Sequence, residues 1–227
     1  MERGYLLHLR PYRESSAIVQ LLVDGQGRVD AVARLGSGKR TVKALLQPFQ
    51  PLLFSLAGRG ELKNLQQPEA YAPAVPLGGD ALYAGMYLNE LLIRCLSHGH
   101  AGEGLFLAYH QTLMRLALGM DQACLRYFEL ALLSELGTCP SLEEDALGNV
   151  VQADSHYSWR PQLGLAPDSR GDIAGHTLLA LSNRELQSEQ LRQAKLLLRQ
   201  LLAPFVGDKP LASRELFRRR QGGNQPA

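Results

Sequence analysis

The chain has 227 residues, 45% of them hydrophobic and 20% charged, with a net charge of +2. That length gives one large domain or two small ones, each able to bury its own core. No apolar run matches a signal peptide or a membrane span, and Cys95, Cys124 and Cys139 are scattered with no Cys-x-x-Cys pair. Together these argue against secretion, a disulfide framework and a structural zinc, and point to a reducing cytoplasm.

The first 70 residues predict strands. Leu6–Leu9 and Ala17–Val23 are short apolar or β-branched runs. Arg28–Arg34 alternates, with Val29, Ala31 and Ala33 on one side and Arg28, Asp30, Val32 and Arg34 on the other. Leu52–Ala57 and Glu61–Gln66 follow. Turn chemistry separates them at Arg10-Pro11-Tyr12, Asp24–Gly27, Gly36-Ser37-Gly38 and Gly58-Arg59-Gly60. Five short strands suit a small closed barrel, OB-type or SH3-like.

From Asp80 the hydrophobic period becomes helical. Asp80 is read as the N-cap of a buried helix to about Ser97, and a second helix fits Glu103–Leu118. A third runs from the N-cap Asp121 to before Gly137, with Leu125, Phe128, Leu132 and Leu136 at spacings of three and four. Residues 137–172 read as irregular with a hairpin around Val150–Trp159. Helix returns at Thr177–Leu181, at Glu189–Leu202 after the N-cap Ser188, and at Ser213–Arg219. Prolines 68, 73 and 76 and Gly78-Gly79 place a boundary near residue 75. The fold class is therefore α+β: a five-stranded barrel over 1–75, then a mainly helical domain over 76–227 with an irregular insert at about 140–176.

Charge divides along the same line. Residues 1–78 hold ten Lys/Arg against six Asp/Glu, whereas residues 79–227 hold fourteen against sixteen. A basic first third implies a polyanion partner. Arg28, Arg34, Lys39, Arg40 and Lys43, around the glycine-rich LGSGKR, suit phosphate contacts along a nucleic-acid backbone. Tyr5, Tyr12 and Phe54 are candidate stacking residues but fit a core better. GSGKR is not a phosphate-binding loop, because Arg40 stands where Ser or Thr is needed and Ala33 where the first glycine is needed.

No other cluster proposes an active site. Cys95 reads as a core thiol, and His98 and His100 as groups near a helix C-terminus. Cys139 and His156 supply two ligands where zinc needs four. Glu143, Glu144 and Asp145 read as a solvated acidic face. In the helix at 189–202, Arg192, Lys195 and Arg199 share one stripe and Leu191, Ala194, Leu198, Leu201 and Leu202 another. Such a surface can hold an acidic peptide that ends in a hydrophobic residue, and Arg126 beside Tyr127 and Phe128 offers a similar pairing.

Five ordered blocks resemble the bacterial recombination mediator family RecO: LHLRPYRESSAIVQLLVDGQGRVDAVARLGSGKR, KALLQPFQPLLFSLAGRGELKNL, ALYAGMYLNELLIRCL, LRYFELALLSELG and KPLASRELF. The resemblance implies an OB domain followed by a helical domain, with no enzymatic activity and no cofactor. It implies binding of single- and double-stranded DNA and annealing of complementary strands. The implied partners are RecR and the acidic C-terminal tail of single-stranded-DNA-binding protein, with RecA loaded as the outcome at the nucleoid. Some family members carry a four-cysteine zinc module, of which only Cys139 remains here, so no zinc is expected. Arg126 is then the candidate clamp for the tail's α-carboxylate, with Lys195 and Arg199 as secondary contacts. The contrasting expectation is a surface ion pair between Arg126 and Glu129, and Arg126→Ala is expected to spare thermal stability. The alternatives are an RNA-binding OB adaptor and a nuclease, the latter lacking a convincing carboxylate cluster.

Overall fold

The computed structural model describes residues 1–36, 42–99, 102 and 104–216. Five strands close a barrel: β1 (Glu2–Tyr12), β2 (Ser16–Val23), β3 (Gly27–Arg34), β4 (Pro51–Ala57) and β5 (Leu62–Ala70), in the order β1-β2-β3-β5-β4. β3 and β5 pair in parallel and every other pair is antiparallel, which is the OB-type arrangement. Alternation sends Leu6, Val19, Leu21, Val23, Val29, Ala31, Ala33, Leu52, Phe54 and Leu65 inward, where they form one core. Gly25 and Gly27 take φ of 70° and 68° in the turn between β2 and β3, a backbone that glycine adopts without strain. A four-residue helix, α1 (Val42–Leu45), lies between β3 and β4 and is too short to show a period in sequence.

Two helices follow, α2 (Gly79–Cys95) and α3 (Leu105–Leu118). The expected cap at Asp80 is corrected: Gly78 occupies the N-cap, and Asp80 sits inside the first turn, where its charge meets the positive helix end. β1 is buried on both faces between Tyr5 and Leu7, because helices cover its outer side. Across that face Tyr5 Oη lies 2.7 Å from His110 Nδ1. Tyr109 donates to Asn89 Oδ1 at 2.6 Å, and Asn89 Nδ2 donates to the Leu7 carbonyl at 3.2 Å. Burial pushes the Tyr5 hydroxyl up to about 12 and the Cys95 thiol to about 12, so neither ionises at neutral pH.

The chain forms two compact units: residues 1–120 together with the chain from Lys209, and Asp121–Asp208. The second unit holds α4 (Gln122–Glu135), α5 (Gly175–Ser182) and α6 (Leu191–Val206) with a three-stranded sheet of order β7-β6-β8. Asp121 caps α4 as expected, accepting from the amides of Ala123 and Cys124. Two expectations fail here. The sheet is made of β6 (His156–Arg160), β7 (Gly164–Pro167) and β8 (Ile173–Ala174), so the hairpin lies later than Val150–Trp159. Helix α6 begins after Gln190, with Ser188 outside it, and continues through Pro204 to Val206. Asp145 is not part of a solvated face. It is 9% exposed and accepts from the amides of Leu147 and Asn149 at 2.8 and 2.9 Å, which ties a loop shut.

Candidate nucleic-acid interface

The pairing register places outward residues of neighbouring strands side by side. One row across the barrel runs Arg10, Ile18, Val32, Asn64, and the next runs Tyr12, Ser16, Arg34. Arg10, Arg34 and Asn64 are exposed, as is Lys43 on α1. Arg10, Arg34 and Lys43 have no ion pair among the described residues. Three cations near one apolar row can each neutralise a phosphate. Lys39 and Arg40 lie outside the described residues.

Arg28 stands at the other end of β3, roughly 20 Å from Arg34 at the ordinary rise per residue. Its surroundings differ. Its Nη1 donates to the carbonyls of Ile93 and Leu96 at 2.7 and 3.0 Å, closing the C-terminal end of α2. Its Nε lies 3.5 Å from Asp30 Oδ1, and His98 Nε2 lies 3.4 Å from Asp30 Oδ2. Thus His98, expected near a helix end, also meets a buried carboxylate from β3. A cavity of about 440 Å³ opens beside them, lined among others by Arg59, Lys63, Glu61 and Gly99. Arg28 and Arg34, neighbours in the linear cluster, are thereby held at the two ends of one strand.

A second cavity, of about 520 Å³, is lined by Val32, Arg34, Val42, Asn64, Leu65, Gln66, Gln67 and Pro68. It lies where β3 and β5 part, since their pairing covers only Asp30–Val32 against Leu62–Asn64. Arg10, Asn64 and Gln66 were not singled out in the sequence. Only the cross-strand register brings them beside Arg34. Of the candidate stacking rings, Tyr5 and Phe54 are fully buried, and Tyr12 is half-buried with the Arg13 guanidinium 5.1 Å from its ring centroid.

On the second unit, α4 and α6 face each other through Leu125, Phe128, Leu132 and Ala194, Leu197, Leu198, Leu201. Arg192, Lys195 and Arg199 lie on the exposed side of α6, next to Leu196, itself 42% exposed. Arg126 departs from the expected surface ion pair in its setting. It does pair with Glu129, Nη2 to Oε1 at 2.6 Å, but the side chains are 8% and 1% exposed, so this is a buried pair rather than a surface one. The Arg126 Nε is buried with no acceptor. Among the described residues no group of three His, Cys, Asp or Glu side chains is placed to hold a metal ion. No helix among them is long and apolar enough to cross a membrane.

Comparison with known proteins covers nearly the whole chain. The family model Recombination protein O N terminal matches residues 1–74, and Recombination protein O C terminal matches residues 77–215. A DNA repair protein RecO of Alteromonas mediterranea is 41% identical over 223 residues, covering 94% of this chain and 95% of the relative. The DNA repair protein RecO of Yersinia pestis (strain Pestoides F) is 41% identical over 225 residues, covering 96% and 93%. That of Yersinia pseudotuberculosis serotype O:1b gives the same figures.

Proposed function

The chain belongs to the RecO family of DNA repair proteins, and from that premise we propose that it works as two holds, one for DNA on the barrel and one for protein on the helices. It is a non-catalytic mediator of recombination that binds DNA and anneals strands. The observation that carries this reading is the match of both family models, the first of which spans the closed barrel.

Arg34, Lys39, Arg40 and Lys43 make up the barrel hold, and Arg10 lies on the same outer surface as Arg34. Arg28 contributes from the far end of β3, beside Arg59 and Lys63. Each cation placed on a phosphate releases counterions, so sequence-independent affinity with a steep salt dependence follows. Both single strands and duplexes present that charge. Residues 1–75 act as the nucleic-acid-binding domain and 76–227 as the partner-binding domain.

The protein hold is for the acidic tail of single-stranded-DNA-binding protein, with RecR as a further partner and loading of RecA as the result. Lys195 and Arg199 on α6 meet the tail's acidic side chains. Arg126, on the facing helix, is the candidate clamp for the terminal carboxylate, and it reaches that group only once its side chain, 8% exposed in the free chain, is uncovered. Support comes from the exposed basic stripe of α6 beside Leu196.

The test is strand annealing on complementary strands coated by the single-strand-binding protein. The protein is expected to accelerate annealing of coated strands, and to lose most of that effect when the coating protein lacks its acidic tail. Equal annealing with RNA strands and indifference to the tail would instead favour an RNA-binding adaptor.

A further inference from the structure

We propose that the cavity where β3 and β5 part is a pocket for one unstacked base of a single strand, read by the amides of Asn64 and Gln66. This rests on the DNA-binding reading and adds to it a contact that does not depend on phosphate charge.

The opening has a structural cause. β5 carries a register irregularity against β4 between the pairs Leu53–Glu69 and Ser55–Gln66. There Gln67 takes φ of 48°, in the left-handed region that non-glycine residues seldom occupy. A bulge bends its strand and re-aims side chains, and such features recur beside binding sites. Here β5 turns away from β3 after Asn64, and the space between them is left unfilled.

The lining suits a planar polar ring. Val32, Val42, Leu65 and Pro68 supply apolar walls, while Asn64, Gln66 and Gln67 supply amides. Each amide offers donors and an acceptor, the complement of a base edge. Asn64, Gln66 and Gln67 are exposed, and their side-chain amides make no hydrogen bond to a described residue. Among the described residues that line the cavity there is no carboxylate, and Arg34 is the one that carries a charge. Neutral amides over an apolar wall give a phosphate or a metal ion little to bind. An unstacked base has both its faces and its pairing edge free. The volume, about 520 Å³, lies in the range of small-molecule sites. Arg34 at the margin, with Arg10 one row away, would hold the adjoining phosphates.

The experiment compares a homopolymeric single strand with an abasic strand of equal length, by fluorescence anisotropy with the full chain. The unmodified protein is expected to prefer the base-bearing strand. The double variant Asn64→Ala/Gln66→Ala, both at exposed positions, should weaken the base-bearing strand about tenfold, the effect of losing one or two hydrogen bonds. Its affinity for the abasic strand and its salt slope should stay unchanged. Arg34→Ala should instead weaken both strands and flatten the slope. A double variant that keeps the original preference for bases overturns the pocket, and so does an unmodified protein that binds both strands equally. An unmodified protein that binds neither strand at low salt overturns the DNA-binding reading itself.

Discussion

Arg126 and Glu129 show how burial changes the meaning of a spacing. An i,i+3 pair on a helix surface contributes only about 0.2–0.5 kcal/mol. Here both side chains are nearly sealed from solvent, so removing Arg126 takes away a buried charge partner that water does not replace. Arg126→Ala is therefore expected to lower stability by about 3 kcal/mol or more, contrary to the sequence-based expectation that stability is spared. Chemical denaturation of Arg126→Ala, and of Arg126→Met combined with Glu129→Leu, checks this. The double variant should recover most of the loss, because similar apolar volume replaces the pair. A second buried contact makes a comparable prediction. Tyr109→Phe removes the donor to Asn89 Oδ1, a buried acceptor, and should cost about 1–3 kcal/mol in the same assay. The Arg126–Glu129 pairing was legible in the sequence, but its burial and the Tyr109–Asn89 contact were not. Spacing showed that Arg126 could reach Glu129, but not whether the helix face is covered.

At the scale of the element, the carboxylate of Glu90 on α2 secures the returning C-terminal segment. It accepts from the amides of Ala212 and Ser213 at 3.0 and 2.9 Å and from the Ser213 hydroxyl at 2.7 Å. Arg94, one turn on, donates to Glu90 at 2.7 Å and to the carbonyls of Lys209 and Pro210. Burial pushes the Glu90 carboxyl up, but these donors outweigh it and hold the group below its ordinary value. A depressed value means the contribution is in place above the unfolded carboxyl range, about 4.3. It is lost as pH falls through the lower folded value. NMR signals of the Ala212 and Ser213 amides should hold steady from neutral pH down to that range and shift together below it. Glu90→Gln should remove the acid transition and loosen the segment at neutral pH. Elements of this kind were partly legible in advance. The five strands showed as alternating runs between glycine turns, and α4 showed through its Asp121 cap and apolar period. α1 did not, because four residues carry no period. The hairpin falls later than Val150–Trp159, because Val150 is exposed in an isolated bridge to Glu144 and the buried residues that seat the sheet are Tyr157, Leu165 and Ile173.

Across the whole molecule, the two proposed binding roles differ in charge and chemistry. The barrel carries cations around an apolar outer row, and the α6 surface carries cations beside an exposed leucine. The first suits a phosphate track and the second an acidic peptide with a hydrophobic end. The sequence singled out both sets of cations as candidates. It joined Arg28 to Arg34, which β3 holds far apart, and it missed Arg10, which only the β1–β2–β3 register brings alongside. Metal analysis of the purified chain should find no stoichiometric zinc, because Cys139 and His156 are two ligands where four are needed. One zinc per chain would require a different account of residues 139–176. The most direct test of the central claim is paired anisotropy titrations, with a single DNA strand and with an acidic tail peptide, on two charge-reversal variants. Arg34→Glu/Lys43→Glu should lose DNA affinity, with a flatter salt slope, and keep the peptide. Lys195→Glu/Arg199→Glu should lose the peptide and keep DNA. Loss of both ligands in the same variant, or of neither in either, would contradict the division.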